Sequence, residues 1–154
     1  MNYKNINIPL IKYNKSQISY DNEKLLIELP VLKSKSSIEK YFNKYQLLLN
    51  INDEELLNFI YSLENNNKKY CRKDSIYKSN INSYNNTLIL KVPFRYNRHE
   101  INITSDKIYL PTIEDIKPDM LLKCKILVSN IWNYNTNDKQ MSGCIMEVKE
   151  INIV

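Results

Sequence analysis

The sequence predicts an α+β chain, mainly β, in which five or so short strands form a small barrel or sandwich and one or two helices lie in the N-terminal half. Three observations carry this reading. Beyond residue 86 the apolar residues recur at period two, in runs broken by short polar turns. Helical spacing is confined to residues 36–63, so strands and helices do not alternate as βαβ units require. The chain has 154 residues and an apolar fraction of 43%, enough to bury the core of a single domain spanning 1–154.

Residues 1–20 carry Ile6, Ile8, Leu10 and Ile11 among Asn and Lys and read as an arm or edge strand. Residues 24–33 (KLLIELPVLK) put Ile27, Leu29 and Val31 on one face of a strand, which Pro30 confines to a sheet edge or ends. Ser36 with Glu39 is a capping-box pattern, and Ile38, Tyr41, Phe42, Tyr45, Leu48 and Leu49 follow at helical spacing. A first helix is expected there, although 45–51 also fits a strand. Asn52 with Glu55 repeats the pattern and opens a second helix through Leu56, Leu57, Ile60 and Leu63, with Asp53, Glu54 and Glu55 at its positive end. Asn65 to Asn67 is expected to end it.

Everything after that reads as β. Residues 68–78 form a polar strand segment, 80–86 a loop, and 87–96 a strand alternating Leu88, Leu90, Val92, Phe94 and Tyr96. A turn at Asn97-Arg98 leads to Ile101 and Ile103, then to 107–110. Lys117-Pro118-Asp119 introduces a long strand, 120–132, with Leu122, Cys124, Ile126, Val128 and Trp132 on one face. A polar hairpin connection over 133–143 holds Gly143, and 144–154 closes the chain with Cys144, Met146 and Val148 alternating.

Asn, Ile, Lys and Tyr supply 75 residues, while Ala is absent and Gly occurs once, a skew that points to an AT-rich genome of the viral, organellar or plasmid kind. Part of the Lys and Asn content is therefore mutational bias. The net charge of +5 is unevenly spread: Lys68, Lys69, Arg72, Lys73, Lys78, Lys91, Arg95 and Arg98 face Asp74 alone across 68–98. Such a segment in an otherwise near-neutral chain is the footprint of a polyanion. Three cysteines without paired spacing read as reduced thiols, and no apolar run reaches membrane length, so a cytoplasmic protein without membrane association is expected.

Catalysis has little to stand on. His99 is the one histidine, and its simplest role is as a surface or core side chain. A lone glycine excludes glycine-rich phosphate loops. Cys71, His99, Cys124 and Cys144 are metal-ligand types but lack ligand spacing. No enzyme, metal or cofactor is expected. Binding has more support, because single strands are held by cations along the phosphates and by rings on which bases stack. Lys69, Tyr70, Arg72, Lys73 and Tyr77 interleave the two groups, as do Phe94, Arg95, Tyr96 and Arg98. Lys123 and Lys125 add charge on the long strand, and Trp132 and Tyr134 add rings where it ends. Strand alternation sends Arg95 to the face opposite Phe94 and Tyr96 unless Pro93 marks a bulge. Trp132 reads equally as core.

The run L-K-V-P-F-R-Y-N-R (90–98), then K-C-K-I-L-V-S-N-I-W-N-Y (123–134), then Gly143 and C-I-M-E-V-K-E-I-N-I-V resembles the single-stranded DNA-binding proteins of large cytoplasmic DNA viruses and of yeast cytoplasmic linear plasmids. The resemblance covers residues 87–154. It implies a five-stranded OB-like barrel that coats displaced strands during replication, with Arg95, Tyr96 and Arg98 facing nucleic acid and Trp132 either a stacking platform or a barrel plug. An acidic, partner-recruiting tail has no counterpart in Ile151-Asn152-Ile153-Val154. The expected partner is single-stranded DNA, with RNA as the alternative, alongside replication proteins or further copies of the chain. The competing readings are a structural or interaction subunit without nucleic-acid binding, and a metal-dependent nuclease or accessory subunit.

Overall fold

The computed structural model describes residues 1–154. It is mainly β, with β1 (Lys12–Asn14), β2 (Gln17–Tyr20), β3 (Glu23–Glu28), β4 (Leu32–Ser34), β5 (Glu39–Tyr41) and β6 (Lys44–Asn50) preceding one helix, α1 (Glu54–Lys68). Then come β7 (Ile76–Lys78), β8 (Ile81–Asn82), β9 (Thr87–Val92), β10 (Phe94–Arg95), β11 (Arg98–His99), β12 (Asn102–Ser105), β13 (Leu121–Thr136) and β14 (Lys139–Ile153). Instead of five strands, twelve join one sheet and β10–β11 form a separate pair. The pairings run in a circuit: β13 to β4, β4 to β6, β6 to β9, β9 to β14, and β14 back to β13. All are antiparallel except β9–β14, which meets in parallel at Lys91 and Glu147. One cluster of 30 buried residues is shared by these strands, α1 and the N-terminal Tyr3, Ile6 and Ile11. No helix is long and apolar enough to cross a membrane.

The expected first helix is a hairpin. Phe42 and Asn43 take positive φ (45° and 63°), so the chain reverses between β5 and β6. Leu47, Leu49 and Ile51 are then buried at period two, and all of Tyr45–Asn50 pairs with β9. Six ladder partners outweigh a local capping pattern. The second helix forms, but Asp53 caps it, its side chain accepting the Glu55 amide at 2.9 Å. It continues through Asn65 to Lys68 because Asn67 is buried, accepting the Tyr13 hydroxyl and donating to that of Tyr77 at 3.4 Å. The β segment expected over 68–78 shrinks to β7.

Pro30 does end β3, and the break shifts the phase: Leu29 and Leu32 are buried while Val31 is exposed. Pro93 ends β9 likewise, and the next turn is at Tyr96-Asn97 (φ 54° and 60°), one residue earlier than expected. Residues 107–110 are a loop between β12 and β13. The end of the chain departs furthest from simple alternation. β13 and β14 stay paired out to Thr136 and Lys139, so Gly143 lies inside β14, opposite Trp132. A register shift between Val128 and Ile131 turns Ile131 into the core and puts Trp132 on the other face.

Candidate nucleic-acid interface

The basic segment after α1 forms a cleft. Lys68 ends the helix, residues 69–75 turn, and β7 carries the chain back along β14. The Arg72 amide donates to Asn133 Oδ1 and its guanidinium to Asn135 Oδ1, both at 3.3 Å, so the turn is tied to the outer end of β13. Ser75 Oγ lies 2.8 Å from Ser142 Oγ and fixes the floor. The open cleft, about 770 Å³, is lined by Lys68, Lys69, Arg72 and Lys73 with Asp74 as the single carboxylate. None of the four cations is in an ion pair. Like charges held together without compensation raise the local potential for an anion.

The aromatic neighbours differ in availability. Tyr77 is half-buried, with Lys68 Nζ 5.5 Å from its ring centroid, and burial pushes its hydroxyl pKa up. It is wall, not platform. Tyr70 is exposed but has one face stacked on Tyr13, centroids 3.8 Å apart at 15°. Tyr13 itself is held by Asn66 and Asn67, and burial pushes its pKa up to about 12.

Below this lies Glu64, buried, accepting the Ser79 hydroxyl and the Asn80 amide. Burial raises its pKa above 4.5. A carboxyl that binds its proton more tightly in the folded than in the unfolded chain makes stability fall as pH rises from 4.5 through the folded value. Glu64→Gln is therefore expected to abolish that loss: in urea unfolding, the variant gains on the parent between pH 4.5 and 7. A constant difference across that range would contradict the assignment.

A second cleft of about 520 Å³ lies on the outer face of the sheet, where Lys24, Lys91, Arg95 and Lys149 surround Leu127 and Ile145. Its charge is largely answered. Lys149 is 2.8 Å from Glu147, and Arg95 is 3.7 Å from Glu100. Above it projects the β10–β11 hairpin. The residue at the hairpin tip, Tyr96, is 89% exposed, while Phe94 packs with His99 (4.8 Å) and Tyr45 (5.3 Å). Burial in this group lowers the His99 pKa.

The candidate site residues do not share one groove. Lys69, Arg72, Lys73 and Tyr77 share the first cleft; Phe94, Arg95, Tyr96 and Arg98 share the hairpin. Lys123 and Lys125 line neither: Lys125 bonds Glu150 at 3.4 Å and Lys123 lies opposite Asn152. Trp132 lies flat on Gly143, and Tyr134 is exposed one step further out, opposite Met141. Lys24 and Lys149 carry no sequence signal, and Lys91 shows only within the basic run 68–98, because the three join only through strand pairing. Lys40, Tyr41, Phe42 and Lys44 were hidden in the expected helix, although Asn43 between Phe42 and Lys44 carries a turn signal. Comparison with protein-family models, curated proteins and solved structures finds no match to this chain.

Proposed function

We propose that the chain binds single-stranded nucleic acid without strong sequence preference and performs no chemistry on it. The observation that carries this reading is the first cleft, in which four unpaired cations converge on one carboxylate. A strand lying there releases counter-ions from the cleft and needs no base identity. The strand circuit supports the same reading. Taken in chain order, β4, β6, β9, β13 and β14 close with the third and fifth parallel, a Greek-key ring of the OB-like kind. The other strands of the sheet, β1–β3, β5, β7, β8 and β12, then decorate that ring. Coating of displaced DNA during replication is the role that agrees with the viral and plasmid resemblance.

A labelled oligo-dT competed against oligo-dA, oligo-rU and duplex DNA tests the proposal. Comparable affinity for the two DNA single strands, with duplex weaker, is expected, and the oligo-rU arm tells DNA from RNA preference. Duplex preference, or no binding at low salt, overturns it.

A further inference from the structure

Two hairpins leave the same end of the β6–β9 pair and repeat one piece of chemistry. The first reads Lys40-Tyr41-Phe42-Asn43-Lys44, the second Phe94-Arg95-Tyr96-Asn97-Arg98. Each reverses through a two-residue turn whose first position is aromatic and whose second is Asn, with φ of 45° and 63° in one and 54° and 60° in the other. Positive φ on a bulky side chain is strained, and Asn, Asp or Gly normally occupy both places. The β2–β3 hairpin of this chain does so, with Asp21 and Asn22 at 51° and 62°. The turn therefore does not require a ring.

Burial does not require one either: Phe42 meets the exposed Tyr41 ring edge-on at 4.5 Å yet is 82% exposed, and Tyr96 is 89% exposed. Two aromatic side chains are held in strained backbone and in water, both unfavourable, at equivalent places. Strain maintained in this way points to a ligand. The bases of the hairpins are joined by Tyr45, whose ring is 5.3 Å from Phe94 and 4.4 Å from His99. Around the tips stand Lys40, Lys44, Arg95 and Arg98, of which Arg95 alone is in an ion pair.

We propose that these tips are a base-stacking site, one unpaired base on Phe42 and another on Tyr96, with the intervening phosphates on Lys40, Lys44 and Arg98. The site deepens the single-strand reading above and rests on it. Rings on positively charged turns suit bases and phosphates together. A membrane would instead need a contiguous apolar area, and here each exposed tip ring is followed directly by Asn and then a cation.

Phe42→Asn and Tyr96→Asn test this, because Asn suits the turn and leaves the charge unchanged. Each is expected to lower oligo-dT affinity about tenfold, and the pair about a hundredfold, with the salt slope unaltered. Tyr96→Phe keeps the ring and should keep parent affinity. Iodouracil-substituted oligonucleotide should cross-link to the peptides containing Phe42 and Tyr96. Should the parent bind oligo-dT and the Asn pair bind it equally well, the stacking site is overturned and the single-strand reading stands. A parent that binds no oligonucleotide removes both. Parent binding to phosphatidylserine vesicles that the Asn pair loses, with oligonucleotide affinity unmoved, would replace the proposal with a membrane contact.

Discussion

Replacing Lys68, Lys69, Arg72 and Lys73 together with alanine is expected to reduce the slope of log affinity against log salt by about 3, since each phosphate on a single strand contributes about 0.7. The counter-ion contribution vanishes near 1 M salt, so this amounts to between two and three orders of magnitude in affinity at about 0.1 M. Folding should be little affected. All four side chains are exposed and outside any ion pair; alanine removes the exposed Arg72–Asn135 bond, but the Arg72 amide keeps its bond to Asn133 whatever its side chain. Lys123→Ala with Lys125→Ala removes charge from outside both clefts and should leave the slope nearly unchanged. Filter binding or anisotropy at four or five salt concentrations gives both numbers. Equal effects from the two sets would mean that charge acts diffusely and the cleft has no special standing.

Gly143→Val should lower stability by about 2 kcal/mol, in the range of overpacked interiors. The cause is close approach, not backbone conformation. A Cβ at Gly143 would stand 2.5, 2.7 and 2.8 Å from Cζ2, Cε2 and Nε1 of Trp132, far inside contact distance. The indole covers the bare backbone of the facing strand, a frequent use of glycine within a sheet. Trp132 must swing off the sheet or the strands must separate, and as the chain's one tryptophan it reports directly through fluorescence. A red-shifted emission in Gly143→Val, with much of the loss recovered in Gly143→Val with Trp132→Ala, is the expected cycle. Additive losses in the double variant would deny the contact.

The same pair of residues marks what the sequence makes legible. Alternation alone places Leu88, Leu90, Val92, Leu122, Cys124, Ile126 and Val128 correctly in the core, because period two survives wherever a strand is unbroken. It fails at Ile131, where one register shift reverses the faces and no local residue announces it. It fails again at 39–50, where helical and strand spacings coexist and pairing with β9 decides between them. Gly143 reads as a turn residue until the strand opposite presents an indole. The cations of 68–73 are visible as a run, and their convergence follows from local turns tied to Asn133 and Asn135. Phe42 and Tyr96 are brought to one end of the molecule only by the β6–β9 ladder, and that contact is non-local.

The most direct test is the salt dependence of oligo-dT binding by the unmodified protein. A steep linear fall, with a slope of about −3 or beyond, is the result predicted for four cleft cations meeting phosphates. Affinity that stays flat from low to high salt would leave the open, unpaired cluster at Lys68, Lys69, Arg72 and Lys73 without a polyanion to bind, and would contradict the assignment.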